Sequence, residues 1–206
     1  MLATPRKSFG STGERCFERD LKALTLTRPI SAWVDVAIDQ PVSTSDCIEL
    51  PLAFTVKDLD ECLYRNALFL CTLKVPHNFP FKPPSVFVRN PVLHPNVHAD
   101  SNEMTLRCLQ HELWLPVVSL KTVVEAIQNV LIAPDVSCLP DTPLNQEMAQ
   151  TYTERPAEFR AVIREILQGR EFAGRVFPRY FGQTVQKKRK RSTDALAKKY
   201  KKLSCV

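Results

Sequence analysis

No apolar run in this chain reaches the ~18 residues that a membrane-spanning helix needs, so no membrane partner is expected. Residues 1–10 contain nothing like the apolar stretch of a secretory leader. The seven cysteines include no Cys-x-x-Cys pair, and their number is odd. Both facts argue against a disulfide framework and for a reducing compartment. His98, Cys108 and His111 lie close in sequence but match no standard zinc spacing, so no metal is expected, and no motif implies a cofactor. Acidic residues are scarce in one region above all. Residues 185–206 hold nine Lys and Arg against the single Asp194, which leaves the rest of the chain at −2 of the +6 total.

What is present is enough for one packed domain with appendages: 206 residues, 44% of them hydrophobic. The polar stretch 1–13, with Pro5 and two glycines, reads as a flexible N-terminal arm. Thr12 is placed to cap a helix beginning near Glu14, with Phe17, Leu21 and Leu24 on one face. Arg15, Arg19 and Lys22 fall away from that stripe, which for an ordinary helix means a solvated charged face. Three segments then alternate with period two: Val34, Val36 and Ile38; Leu52, Phe54 and Val56; and Phe69, Cys71, Leu73 and Val75. Val86 and Val88 add a short fourth. That period predicts half-buried strands, and the short connections predict an antiparallel meander.

The second half of the chain turns helical. Ser119 or its neighbour starts a helix carrying Leu120, Val123, Val124, Ile127 and Leu131 on one face, and Pro134 stops it. A short helix spans 144–152, and a last one opens at Pro156 and ends at Gly169. Strands followed by helices predict an α+β domain, one four-stranded antiparallel sheet backed by helices, over residues 14–182. Residues 183–206 read as a disordered basic tail.

Between strands and helices lies the most distinctive stretch. It runs Phe79-Pro80-Phe81-Lys82-Pro83-Pro84, His94-Pro95-Asn96, Cys108-Leu109 and Trp114-Leu115-Pro116. Proline fixes φ and removes a donor, so these loops are stiff. The order and spacing resemble the signature of the ubiquitin-conjugating enzymes, which carry ubiquitin or a ubiquitin-like protein as a cysteine thioester and pass it to lysine. Pro143-Leu144-Asn145-Gln146-Glu147-Met148-Ala149 and the segment 172–181 are similar to the neddylation-type branch of that family.

The resemblance implies a fold and a set of roles. Asn96 inherits support of the oxyanion or of its loop, His94 ties down the turn, and Asp141 stands near the family's acidic gate, although Thr142 directly precedes Pro143. Phe81, Pro116 and Val117 inherit the ligase-binding surface, while Arg15, Arg19 and Lys22 inherit the activating-enzyme contact. The implied partners are a ubiquitin-like modifier, its activating enzyme and a ligase.

Two registers compete for the thioester position. Cys108 comes twelve residues after Asn96, which demands four extra residues before it and two fewer after it than the family pattern. The alternative needs one extra residue on each side and places Thr105 in the slot, with Leu106, Cys108 and Leu109 as the apolar positions beyond it. The first register gives an active transferase with Cys108 as nucleophile, and it is the expectation adopted. The second gives an inactive variant that serves as a binding or scaffold partner.

The basic tail, with clusters at 187–191 and 198–202, resembles a bipartite nuclear localisation signal read by an import receptor, so nucleus and cytoplasm are both expected. Nonspecific binding to nucleic acid or to an anionic surface, and a merely solvated tail, remain alternative readings of the same charge.

Overall fold

The computed structural model describes residues 12–26, 31–57 and 62–169, together with the backbone of 171–172 and 175–176. The basic tail and most of the N-terminal arm lie outside the described residues. Helix α1 spans Thr12–Leu26. It begins at Thr12 itself, two residues before the expected start near Glu14, so Thr12 is the first helical residue and not the cap. Gly13 explains how the helix enters: a Cβ there would overlap the His77 carbonyl, so only glycine lets α1 approach the loop after the third long strand this closely.

The sheet is antiparallel throughout. Its long strands are β1 (Val34–Ile38), β3 (Cys47–Val56), β4 (Leu68–Pro76) and β5 (Ser85–Val88), and they pair in chain order. Two two-residue strands join them: β2 (Val42–Ser43) on β3, and β6 (Glu103–Met104) on β5. The four-stranded meander is therefore present with two short additions. The period-two reading of its inner face is also correct. Leu52, Phe54, Val56, Phe69, Cys71, Leu73, Val75, Val86 and Val88 are all buried.

Helix α2 (Leu120–Ile132) is capped by the Ser119 hydroxyl, which accepts from the Thr122 N–H at 3.3 Å. Its apolar face, Leu120, Val123, Val124, Ile127 and Leu131, is buried in the common core. Gln128, buried on the same helix, donates to the Val34 carbonyl at 2.8 Å and pins α2 to the start of β1. Helices α3 (Pro143–Glu154) and α4 (Pro156–Leu167) meet at Arg155. Proline opens both, where its missing N–H costs no helical bond. Gly169, with φ of 91°, follows α4 in the left-handed conformation expected of a helix-ending glycine. Ile163, Ile166 and Leu167 of α4 pack beside Tyr64 and Leu93, closing the core below the functional loops.

Candidate functional site

The loops gather around the turn His94-Pro95-Asn96, which is buried. His94 accepts the Asn96 N–H through Nδ1 at 3.0 Å, and its Nε2 lies 3.2 Å from the Val130 carbonyl of α2. The carbonyl can only accept, so the proton sits on Nε2 and the ring is neutral. Its face stacks on Tyr64 at 4.9 Å, and the Tyr64 hydroxyl donates to the Leu93 carbonyl. Burial pushes the His94 pKa down to about 4, against the opposing pull of the Val130 carbonyl. This histidine holds the turn in place.

Asn96 is fully committed. Its Nδ2 donates to the carbonyls of Asp135 (2.8 Å) and Cys138 (2.7 Å), and its Oδ1 accepts from the Asp135 N–H (3.0 Å). Both amide protons thus serve the loop after α2, and in this arrangement neither points at a reacting oxygen. The same turn is gripped from the other side by Asn145 of α3. Its Nδ2 reaches the carbonyls of Pro95 (2.7 Å) and Val97 (2.8 Å), with His94 at 3.4 Å. Asn145 is buried while Thr142 caps the helix beside it. Sequence spacing gave no hint of this clamp, because its partners are about fifty positions away.

After the turn the chain makes a tight hairpin. Val97 bridges Met104, the His98 N–H donates to the Glu103 carbonyl at 2.8 Å, and Asn102 takes a positive φ of 58°. The chain then returns so that the Thr105 N–H donates to the Asn96 carbonyl at 2.8 Å. Met104 and Leu106 are buried on either side of a half-buried Thr105. A 3₁₀ turn follows over Arg107–Leu109. The residue beside Asn96 is therefore Thr105, and Cys108 lies one short turn further on.

Cys108 is half-buried against a cleft of about 560 Å³, whose lining includes Leu106, Leu113, Ala126, Val130 and Asp135. Burial raises its thiol pKa above the ordinary cysteine value, which opposes thiolate formation. Asp141 is exposed one residue before the Thr142 cap, and its carboxylate accepts from Gln146 at 3.3 Å.

The residues expected to form the binding surfaces stand out from the body. Trp114 is buried and donates its indole N–H to the Pro80 carbonyl at 2.7 Å, which ties the two proline loops together. This leaves Phe81 and Val117 largely exposed, 70% and 84%, beside exposed Pro116. Arg15, Arg19 and Lys22 all lie on the outer face of α1. Arg19 differs from the other two, because its guanidinium contacts the buried Asp20 at 3.1 Å.

A family model described as "Ubiquitin-conjugating enzyme" matches residues 29–167. Among individual relatives, the NEDD8-conjugating enzyme Ubc12 of Dictyostelium discoideum is 31% identical over 136 residues, covering 66% of this chain and 55% of that protein. The NEDD8-conjugating enzyme UBC12 of Yarrowia lipolytica is 32% identical over 118 residues, covering 57% and 63%. The matched region thus spans little more than half of these relatives. Among solved structures, S. cerevisiae Ubc12 superimposes with a TM-score of 0.65 at 22% identity, covering 84% of this chain and 88% of that one, a likeness of fold.

Proposed function

Because the chain belongs to the ubiquitin-conjugating enzyme family, we propose that it works in a NEDD8-type pathway as a member that binds the transfer machinery but carries no thioester. Thr105 occupies the thioester slot in this reading. The observation that carries it is the 2.8 Å bond from the Thr105 N–H to the Asn96 carbonyl, with buried Met104 and Leu106 flanking and the 3₁₀ turn directly after. That succession fits the register in which Thr105 replaces the family's cysteine and Cys108 is one of the apolar positions beyond.

The chemistry follows from the replacement. Thioester exchange requires a thiolate to attack the carbonyl of an incoming thioester, form a tetrahedral oxyanion and expel the first thiolate. A threonine hydroxyl is almost wholly un-ionised at neutral pH and makes a poor nucleophile without an adjacent base. The binding surfaces do not depend on that atom. Phe81, Pro116 and Val117 supply an apolar contact for a ligase, and Arg15 and Lys22 supply charge for an activating enzyme.

A second reading keeps Cys108 as nucleophile and Asn96 and Asp141 as its helpers. Its support is that Cys108 is the thiol lining the cleft. Burial of that thiol and the full commitment of the Asn96 amide weigh against it.

A charging assay separates the two. The full chain is mixed with ATP, NEDD8 or ubiquitin and the matching activating enzyme, then run on a non-reducing gel. The proposed reading expects no reductant-sensitive adduct from the unmodified chain and one from Thr105→Cys. An adduct from the unmodified chain that disappears in Cys108→Ser overturns it in favour of transfer through Cys108. The nuclear address read in residues 187–202 is proposed alongside. A reporter fused to 183–206 should accumulate in the nucleus, and Lys-to-Ala changes across 187–191 should release it.

A further inference from the structure

The cleft of about 560 Å³ between the 3₁₀ turn and α2 is apolar along most of its wall, where Leu106, Leu113, Ala126, Val130 and Ala133 line it. Leu113 is 47% exposed, so the apolar surface continues from the cleft to the outside. The charged lining residues are Arg107 and Asp135. The wider setting is acidic. Residues 98–147, which supply the whole lining, carry seven acidic side chains against Arg107 and Lys121, a net −5. The other residues of 1–184 therefore stand at +3, and the negative charge of the body is confined to the half that holds the cleft. Residues 185–206, at +8, are its counterpart in sign. They lie outside the described residues, but their sequence has a pattern. Leu196, Tyr200 and Leu203 recur at i, i+4 and i+7, and on a 3.6-residue period Lys198, Lys199, Lys201 and Lys202 all fall off that stripe. Ser192, Thr193 and Asp194 directly precede it, as residues that favour a helix start.

We propose that residues 194–204 of the same chain dock in this cleft, laying Leu196, Tyr200 and Leu203 along its apolar wall while the lysines face the acidic residues around it. Three anchors at that spacing are how an amphipathic segment fills an apolar groove, and a segment of this kind folds as it binds. The connection is long enough. Twenty residues separate Val176 from Leu196 and extend to roughly 65 Å, against a diameter of about 40 Å for a domain of this size. Tethering holds the segment near its site at a concentration on the order of 1 mM, so an affinity of only about 0.1 mM keeps the cleft mostly filled. Docking closes the cleft to other ligands and covers the second of the two basic clusters. It depends neither on which residue fills the thioester slot nor on the nuclear address.

The test uses the full chain with the photocrosslinker p-benzoylphenylalanine in place of Tyr200, irradiated in dilute solution, digested and analysed by mass spectrometry. The expected result is a cross-link within the monomer, from the tail to residues 106–113 or 126–135. Its yield should fall several-fold on raising the salt to about 0.5 M, and again when the four lysines of 198–202 become alanine. Ala133→Arg, at an exposed position of the lining, should lower it as well. A second measurement leaves the domain untouched: Leu196→Asp with Leu203→Asp should speed amide hydrogen exchange in 106–113 and 126–135 several-fold relative to the unmodified chain. The proposal is overturned if no cross-link forms, if it maps elsewhere on the domain, if it joins two copies of the chain, or if exchange in those segments is the same with and without the tail substitutions.

Discussion

The carboxylate of Asp20 accepts the backbone N–H of Leu120 at 3.2 Å, joining two helices a hundred residues apart. One oxygen satisfies an otherwise unpaired donor in the first turn of α2, while the other contacts Arg19 on the surface. Negative charge at a helix N-terminus is favourable in addition to the hydrogen bond. Asp20→Ala should therefore cost about 1–2 kcal/mol, seen as a lower urea midpoint. Arg19→Ala, whose side chain is mostly exposed, should change the midpoint by no more than about 0.5 kcal/mol. Equal losses from the two would refute the assignment.

Asn145 closes the turn from the α3 side. Replacing it with alanine leaves the buried carbonyls of Pro95 and Val97 without their donor. The expected loss is about 2–4 kcal/mol, measured by urea denaturation. A loss under 1 kcal/mol would mean that solvent reaches those carbonyls.

His94 makes stability depend on acid. Its pKa falls from an ordinary 6.5 when unfolded to about 4 in the folded chain, so the unfolded chain takes up the proton first. The contribution is complete above pH 6.5, declines as pH falls towards 4 and levels off below that. A shift of this size corresponds to roughly 3 kcal/mol at most. Urea midpoints measured from pH 7.5 to pH 4 should fall across that window. His94→Gln should be less stable at pH 7 and show a shallower acid slope.

Val117 tests the proposed ligase surface without disturbing the fold. It is among the most exposed apolar residues described, so Val117→Asp should leave the melting temperature within experimental scatter. Ligase binding, followed by titration calorimetry, should weaken about tenfold or more. Unchanged affinity would place the ligase contact elsewhere.

The sequence was most legible where period and burial coincide. Alternation in Leu52, Phe54 and Val56, and again in Phe69, Cys71 and Leu73, is imposed by a sheet with one packed face, and all six residues are buried. Ser119, Pro156 and Gly169 marked helix ends because each acts through its own backbone or its nearest neighbours. Asp20 was hidden because one acidic residue beside an arginine looks like any solvated face. Its burial comes from α2 crossing α1, which no local pattern records. Strand β6 is too short to show a period, and the commitments of Asn96 and Asn145 are made to backbone carbonyls that carry no side-chain signature. The two registers at Thr105 and Cys108 were readable as alternatives, and the contact on which the proposal for Thr105 rests is again made by backbone atoms.

The double grip on the His94-Pro95-Asn96 turn changes what an intact signature means. These residues connect the loop after α2, the helix α3 and the carbonyl of Val130, so they are a keystone of the architecture before they are anything else. A chain that gave up carrying cargo would still be unable to discard them without loosening the domain. Motif retention here reports on foldability, and by itself says nothing about which residue fills the thioester slot.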